Sequence, residues 1–415
     1  MTSELLLALL IAIVILEATV QTVAEVLQLR HQPSQPPKLV ASDVDAAAYG
    51  KAQAYARARV RLTWFSRAVT VAVTVIAFAT GLLGAGYDLV ASWTGDGWLT
   101  PLAFLALVGL AMDLITLPFS LYATFNVEER FGFNRTTPAL FARDKLVSYA
   151  ITAVLGGGLL ALLVVSINLW GREFWIPYAV VLGVLVTLLA MFQTSVLLPL
   201  FNKLTPLGDG PLRDAIDDYV KNSPFKLDDV YVMDGSKRSS KANAFFSGLG
   251  QTRKVVLFDT LIEKHDVDSA VAVVAHEVGH AVHRHVPKFL IGNLVTITLM
   301  LFALSRIVDS SVTSQALGGQ ESVLAINLIV FGVLFGPLGT LIGVVVNGFS
   351  RRFEYQADAF AARTTSPQAM AKAMRSFVKD ELSLPVAHPF YAWLNLSHPA
   401  PVDRIRAIEA SSGTS

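Results

Sequence analysis

Long apolar stretches divide this chain. The first covers about 5–29, and others follow at about 67–93, 101–126, 147–170 and 176–200; after a polar interval come 288–307 and 323–347. Each approaches the roughly 20 residues that a helix needs to cross a hydrocarbon core, so the pattern predicts a mainly α membrane protein with about seven transmembrane helices. The first stretch is preceded by Met-Thr-Ser-Glu, with no cationic segment, which favours a retained spanning helix over a cleaved signal peptide. Its second half carries Glu17, Gln21 and Glu25, and these should face protein or a water-filled cavity. Asp113, in the third stretch, is a further carboxylate at membrane depth; it suits a cavity wall, a proton relay or a structural partner inside the bundle.

The polar intervals have a different texture. Residues 30–66 form a connector, proline-rich at first and then helical in character. In the interval 201–287, positions 212–220 have amphipathic helical spacing, whereas 230–233, 242–246 and 254–258 read as short strands rich in β-branched and aromatic residues. Turn glycines at 248 and 250 separate the last two. Helices are expected from 259 and from about 267. The organisation is therefore 1–200 with five spans, 201–287 as a catalytic insertion, 288–347 with two spans, and 348–415 as a C-terminal helical segment.

Composition agrees and adds exclusions. The 415 residues are 53% hydrophobic and 16% charged, as an integral membrane protein requires. A net charge of +1 gives no basis for nucleic-acid binding. With no cysteine, disulfides, thiolate metal sites and a cysteine nucleophile are all excluded. Of the Lys and Arg residues, only Arg172 and Arg306 fall in loops on one side of the predicted bundle. The positive-inside rule then places the N-terminus outside and both 201–287 and the C-terminal segment in the cytoplasm.

The chemistry concentrates in His276-Glu-Val-Gly-His280. Histidines four apart share one helix face and can hold a zinc ion, and the carboxylate of Glu277 can take a proton from a water on that ion. The apolar flanks imply a buried helix whose polar groups need partners. One protein ligand is missing. Position 286 is Val, so a third histidine at metzincin spacing is absent. Glu354, just after the last span, is the best candidate. Asp358, four residues on and on the same face, suits a partner that orients a ligand imidazole. His283, His285 and His398 are rivals, although the first two sit too close to His280 to swing easily onto the same ion. A small sheet before such a helix also offers an edge strand for an extended substrate.

Further motifs occur in fixed order: Glu129-Arg-Phe-Gly-Phe-Asn134, Pro199-Leu-Phe-Asn-Lys203, Val232-Met-Asp-Gly-Ser-Lys-Arg-Ser239, Asn243-Ala-Phe-Phe246, Val256-Leu-Phe-Asp-Thr-Leu261, the zinc motif, Glu354-Tyr-Gln-Ala-Asp358 and Ser397-His-Pro-Ala-Pro401 with Arg404. With these the chain resembles the type I CAAX prenyl proteases, integral-membrane zinc metallopeptidases of the gluzincin kind. The resemblance spans about 120–406, while the first hundred residues match mainly in layout. It implies one zinc per chain held by His276, His280 and Glu354, with Glu277 as catalytic base and Asp358 behind the ligands. It also implies that Asn243 and Ala244 bind substrate backbone and that His398 and Arg404 stabilise the oxyanion or position other groups. The implied fold is a ring of seven helices around a chamber closed on one side by the zinc domain.

Two departures bear on substrate preference: Lys241-Ala242 stands where family members often have His-Ser, and Ala281 where many have Trp. The Ala/Val/Gly-rich, cysteine-free composition looks prokaryotic and suggests a plasma-membrane location. The expected function is zinc-dependent hydrolysis of a peptide or protein substrate at the bilayer, prenylated or plain. The alternatives are a membrane quality-control protease for non-prenylated chains and, from another class, a non-enzymatic transporter or scaffold.

Overall fold

A computed structural model describes residues 1–95, 97–222, 229–247 and 254–411. Six helical segments are long and apolar enough to cross a membrane: Ser3–Arg30, Ala46–Ala79, Leu99–Phe131, Pro138–Phe201, His285–Ser305 and Leu324–Thr364. The fourth, at 64 residues, far exceeds what one crossing needs. It is broken by a 3-10 turn at Gly171–Phe174, where Gly171 takes φ +52 and the chain reverses. Tyr178 Oη donates to Leu159 O at 3.0 Å across this hairpin, so 138–170 and 175–201 are separate apolar helices.

The second span differs from the expected 67–93. The helix begins at Ala46, inside the supposed connector, and stops at Ala79; Gly81 adopts φ +67, and Leu82–Thr94 forms a separate helix. The cause of the break is a close approach. Gly84 N–H donates to Leu317 O at 3.1 Å, and any Cβ on Gly84 would overlap the Gly318 carbonyl. Hydropathy records apolarity on both sides of residue 80 but not the partner that forces the turn. The connector is likewise no loose tether, since Val40, Val44 and Tyr49 are buried against the helices of the C-terminal half.

Two intramembrane carboxylates are paired between helices. Glu25 accepts two bonds from Arg67, each 2.8 Å, and one from Trp64 Nε1 at 2.7 Å. Asp113 accepts from Lys145 Nζ at 2.6 Å and Tyr149 Oη at 2.5 Å; these two residues lie one turn apart on the next helix. That geometry gives Asp113 a structural partner. Each such pair satisfies groups that hydrocarbon cannot solvate.

The polar insertion folds as an α+β unit. Strands β1 (Leu204–Pro206), β2 (Asp229–Met233), β3 (Ala244–Ser247) and β4 (Lys254–Phe258) form one sheet in the order β1-β2-β4-β3. β2 and β4 run parallel, whereas β1–β2 and β3–β4 are antiparallel. β1 is an addition to the sequence reading, which had no pattern to find in three residues ending in proline. The turn glycines at 248 and 250 lie outside the described residues. β4 is buried at its three central positions, as an inner strand should be, and β3 is left at the edge. Behind the sheet, Pro211–Asn222 and the zinc-motif helix Val267–Val282 pack with β2 and β4 through Ile216, Val230, Val255, Leu257, Val274 and Val278.

Candidate active site

The helix Val267–Val282 starts sharply because Asp266 caps it, accepting from Ser269 N at 2.9 Å and holding Lys372 in an ion pair. Its apolar residues Ala272, Val274, Ala275 and Val278 are buried, which leaves one polar stripe. His276 and Glu277 on that stripe line a cavity of about 1110 Å³.

The third element is the C-terminal end of Leu324–Thr364, which crosses the zinc-motif helix at Gly279. A Cβ there would lie 3.0 Å from Ala357 Cα and 3.2 Å from Phe360 Cβ, so the glycine of the motif is what lets the two backbones approach. The approach brings Glu354 to the histidines. His276 Nε2 and His280 Nε2 are 3.1 Å apart, and the Glu354 oxygens lie 3.5 and 3.4 Å from them. One ligand atom from each residue falls within 4.8 Å of the others. Glu354 Oε2 is buried and makes no hydrogen bond. Two imidazole nitrogens facing each other and a buried carboxylate between them supply the nitrogen and oxygen donors that tetrahedral zinc takes. The residues therefore fit a catalytic zinc site.

Behind them sits a buried ionic frame. Asp358 Oδ1 lies 2.9 Å from His276 Nδ1, and Arg404 donates to the two Asp358 oxygens at 2.8 and 2.6 Å. Arg404 Nη1 is also 3.3 Å from Glu354 Oε2. Burial opposes a charge on His276, yet Asp358 and Glu354 hold its imidazole up at about 9. The same carboxylate field that favours a proton there favours a metal cation. Burial works against the Arg404 guanidinium too, but Asp358 and Glu354 keep it charged. Burial pushes the Glu277 carboxyl above its ordinary value, the direction a general base requires.

The rival histidines take other places. His285 Nδ1 is 2.8 Å from His280 Nδ1, and its Nε2 is 3.0 Å from Gln356 Oε1; it therefore orients the His280 imidazole as Asp358 orients that of His276. Sequence spacing missed this role, because only the left-handed backbone of Arg284, φ +56, turns His285 back. His283 stacks on His285 with centroids 5.6 Å apart. His398 Nε2 lies 3.2 Å from Glu354 Oε1, and its Nδ1 is 2.9 Å from Ser397 Oγ. Arg351 was also missed. It donates to Ala392 O and Leu396 O at 3.0 and 2.6 Å, fixing the loop that delivers His398.

On the opposite wall, Asn243 and Ala244 line the same cavity. Phe246 N donates to Glu277 Oε2 at 3.0 Å, tying the edge strand to the zinc-motif helix. Glu25, Tyr55 and Arg59 reach the cavity from the first two helices, so the site opens toward the membrane half.

Two family models match: CAAX prenyl protease N-terminal, five membrane helices, over 25–203, and peptidase family M48 over 206–412. A "CAAX prenyl protease 1 homolog" from Arabidopsis thaliana is 34% identical over 74% of this chain and 73% of its own. "CAAX prenyl protease 1" of Saccharomyces cerevisiae is 30% identical over 90% and 88%. The crystal structure of S. mikatae Ste24p aligns with TM-score 0.91 at 28% identity, covering 97% of this chain and 99% of that one. Fold and site define a membrane-embedded metallopeptidase. Within that class, the chain belongs to the CAAX prenyl protease 1 family of M48 peptidases. It is a multi-pass membrane metalloendopeptidase, not a transporter or scaffold. The relatives named here are eukaryotic and lend the prokaryotic expectation no support.

Proposed function

We propose that the chain binds one zinc ion through His276, His280 and Glu354 and hydrolyses peptide bonds of substrates that reach the cavity beside the bilayer, prenylated chains foremost. The observation that carries this reading is the convergence of those three side chains, with His276 and Glu354 beside Glu277 on the wall of one cavity. Zinc bound there supplies a Lewis acid for the scissile carbonyl and lowers the pKa of a water toward about 7. Glu277 takes the proton of the attacking water and delivers it to the leaving amine. An extended substrate lies along β3, with Asn243 and Ala244 holding its backbone. His398, on the cavity wall, donates to the developing oxyanion, an effect worth about 3 kcal/mol in comparable sites. Arg404, committed to Asp358 and Glu354, positions the ligands.

The distribution of Lys and Arg supports a cytoplasmic protease unit and an outside N-terminus. Peptides matched in sequence, with and without a prenyl group, test the substrate class. Faster Glu277-dependent cleavage of the prenylated peptide supports this reading. Equal or better cleavage of the plain peptide turns it toward a protease of unmodified membrane segments.

A further inference from the structure

The helix Leu324–Thr364 gives the metal site more than one ligand. Glu354 meets both motif histidines, and Asp358 Oδ1 lies 2.9 Å from His276 Nδ1. Gln356 stands between them in the chain. Its Oε1 is 3.0 Å from His285 Nε2, and His285 Nδ1 is 2.8 Å from His280 Nδ1. The second motif histidine is therefore reached from the same helix turn, through one intermediate ring.

The protons of this row are placed from its metal end. His280 turns Nε2 toward His276 Nε2 at 3.1 Å and Glu354 Oε1 at 3.4 Å, so Nε2 is the nitrogen that faces a cation. A neutral imidazole has one N–H, which for His280 is then on Nδ1 and points at His285. His285 Nδ1 must accept it, and that leaves the proton of His285 on Nε2. There it needs an acceptor. An amide offers both an oxygen and an NH2 group, and only the oxygen serves. Donation thus runs one way, from His280 through His285 to Gln356.

The surroundings of His285 show what Gln356 adds. The ring is 1% exposed. Phe353 stacks on it with centroids 4.1 Å apart and planes 8° apart, and His283 stacks at 5.6 Å and 15°. Stacking fixes the plane of the ring but not its edge, because a half-turn about the Cβ–Cγ bond keeps the plane and swaps nitrogen for carbon. The two hydrogen bonds choose the edge. Neither of their partners is a carboxylate, so His280 is backed by a neutral acceptor where His276 is backed by an anion. Another carboxylate behind His280 would add negative charge to a site that sets Glu354 and Asp358 against Arg404 alone.

We infer that Gln356 is a positioning residue of the metal site: its amide oxygen fixes the tautomer and edge of His285, and through that ring the aim of the His280 imidazole. This rests on the zinc reading of His276, His280 and Glu354 and names what sets the second of those ligands. One helix turn, 354–358, then supplies one ligand and aligns the other two. Gln356 is itself exposed, so its side chain can be changed without opening the core.

The test uses full-length detergent-purified protein. Zinc affinity is measured by competition with a chelator, beside the visible spectrum of the cobalt-loaded form, which reports ligand geometry. Gln356→Met keeps the length of the side chain and removes the acceptor. Its zinc affinity should fall about tenfold, the lower end of the range for lost partners of ligand histidines, and its cobalt spectrum should shift. Gln356→Glu returns an acceptor oxygen to the same place and should restore both. His285→Phe keeps a stacking ring but leaves His280 Nδ1–H without an acceptor, so its loss should be at least as large as that of Gln356→Met. Wild-type affinity and spectrum in Gln356→Met would overturn the inference, as would an equal loss in Gln356→Glu, which would mark a packing role. A wild type that binds neither zinc nor cobalt would instead sink the zinc reading itself, and this assignment with it.

Discussion

Two of the close approaches in this molecule centre on a glycine, and they do different work. At Gly279, in the catalytic half, the crossing brings Glu354 within 3.5 Å of two imidazoles. At Gly84, in the membrane half, a similar approach to Gly318 joins apolar elements and carries no chemistry nearby. The first approach assembles a site, whereas the second fixes a turn. Function depends on one contact and folding on both, so the two should separate under substitution.

The largest effect should come from the site alone. Glu277→Gln removes the base while leaving the ligands and fold, so peptide cleavage should fall by at least 10²–10⁴-fold with zinc content unchanged. Metal analysis beside a cleavage assay checks it. Next, Gly279→Val should wedge Val267–Val282 away from Leu324–Thr364, losing zinc and activity together, with an overpacking cost of about 1–3 kcal/mol. Gly84→Val should lower thermal stability further, since its Cβ would lie 2.0 Å from the Gly318 carbonyl oxygen, yet the fraction that remains folded should keep its zinc and its specific activity. Equal zinc loss in both variants would erase the distinction between the two approaches.

Asp358→Asn should be milder. It weakens the frame behind His276, and zinc affinity should drop about 10–100-fold in a competition titration with a chelator. The smallest effect is one of pH. Glu277 must be ionised to act, and burial raises its pKa in the folded protein above that of an ordinary glutamate. Activity should therefore be full above that raised value and fall as pH drops through it. An acid limb that lies at the pKa of an exposed glutamate would count against a buried base.

The contrast between the halves also explains what the sequence disclosed. His276, Glu277 and His280 are legible because one helix sets their spacing, and Glu354 with Asp358 because a later helix repeats that period. The apolar spans are legible because their length answers to the bilayer. What depends on contact between distant segments left no local mark. The break at Gly81 comes from Gly318, Asp113 finds Lys145 on another helix, and Arg351 reaches carbonyls some forty residues away. His285 is visible as a rival ligand, but its place against His280 is set by a single left-handed residue, Arg284, that no spacing records. The burial of Val40, Val44 and Tyr49 left no mark in a stretch that reads as a polar connector.

The central claim is that Glu354 completes a zinc site whose base is Glu277. The most direct measurement is zinc per chain in purified wild type, Glu277→Gln and Glu354→Ala, read beside cleavage of one quenched peptide. The account predicts one zinc in the first two proteins, a large loss in the third, and cleavage by wild type alone. Zinc retained in full by Glu354→Ala, or cleavage retained by Glu277→Gln, would contradict it.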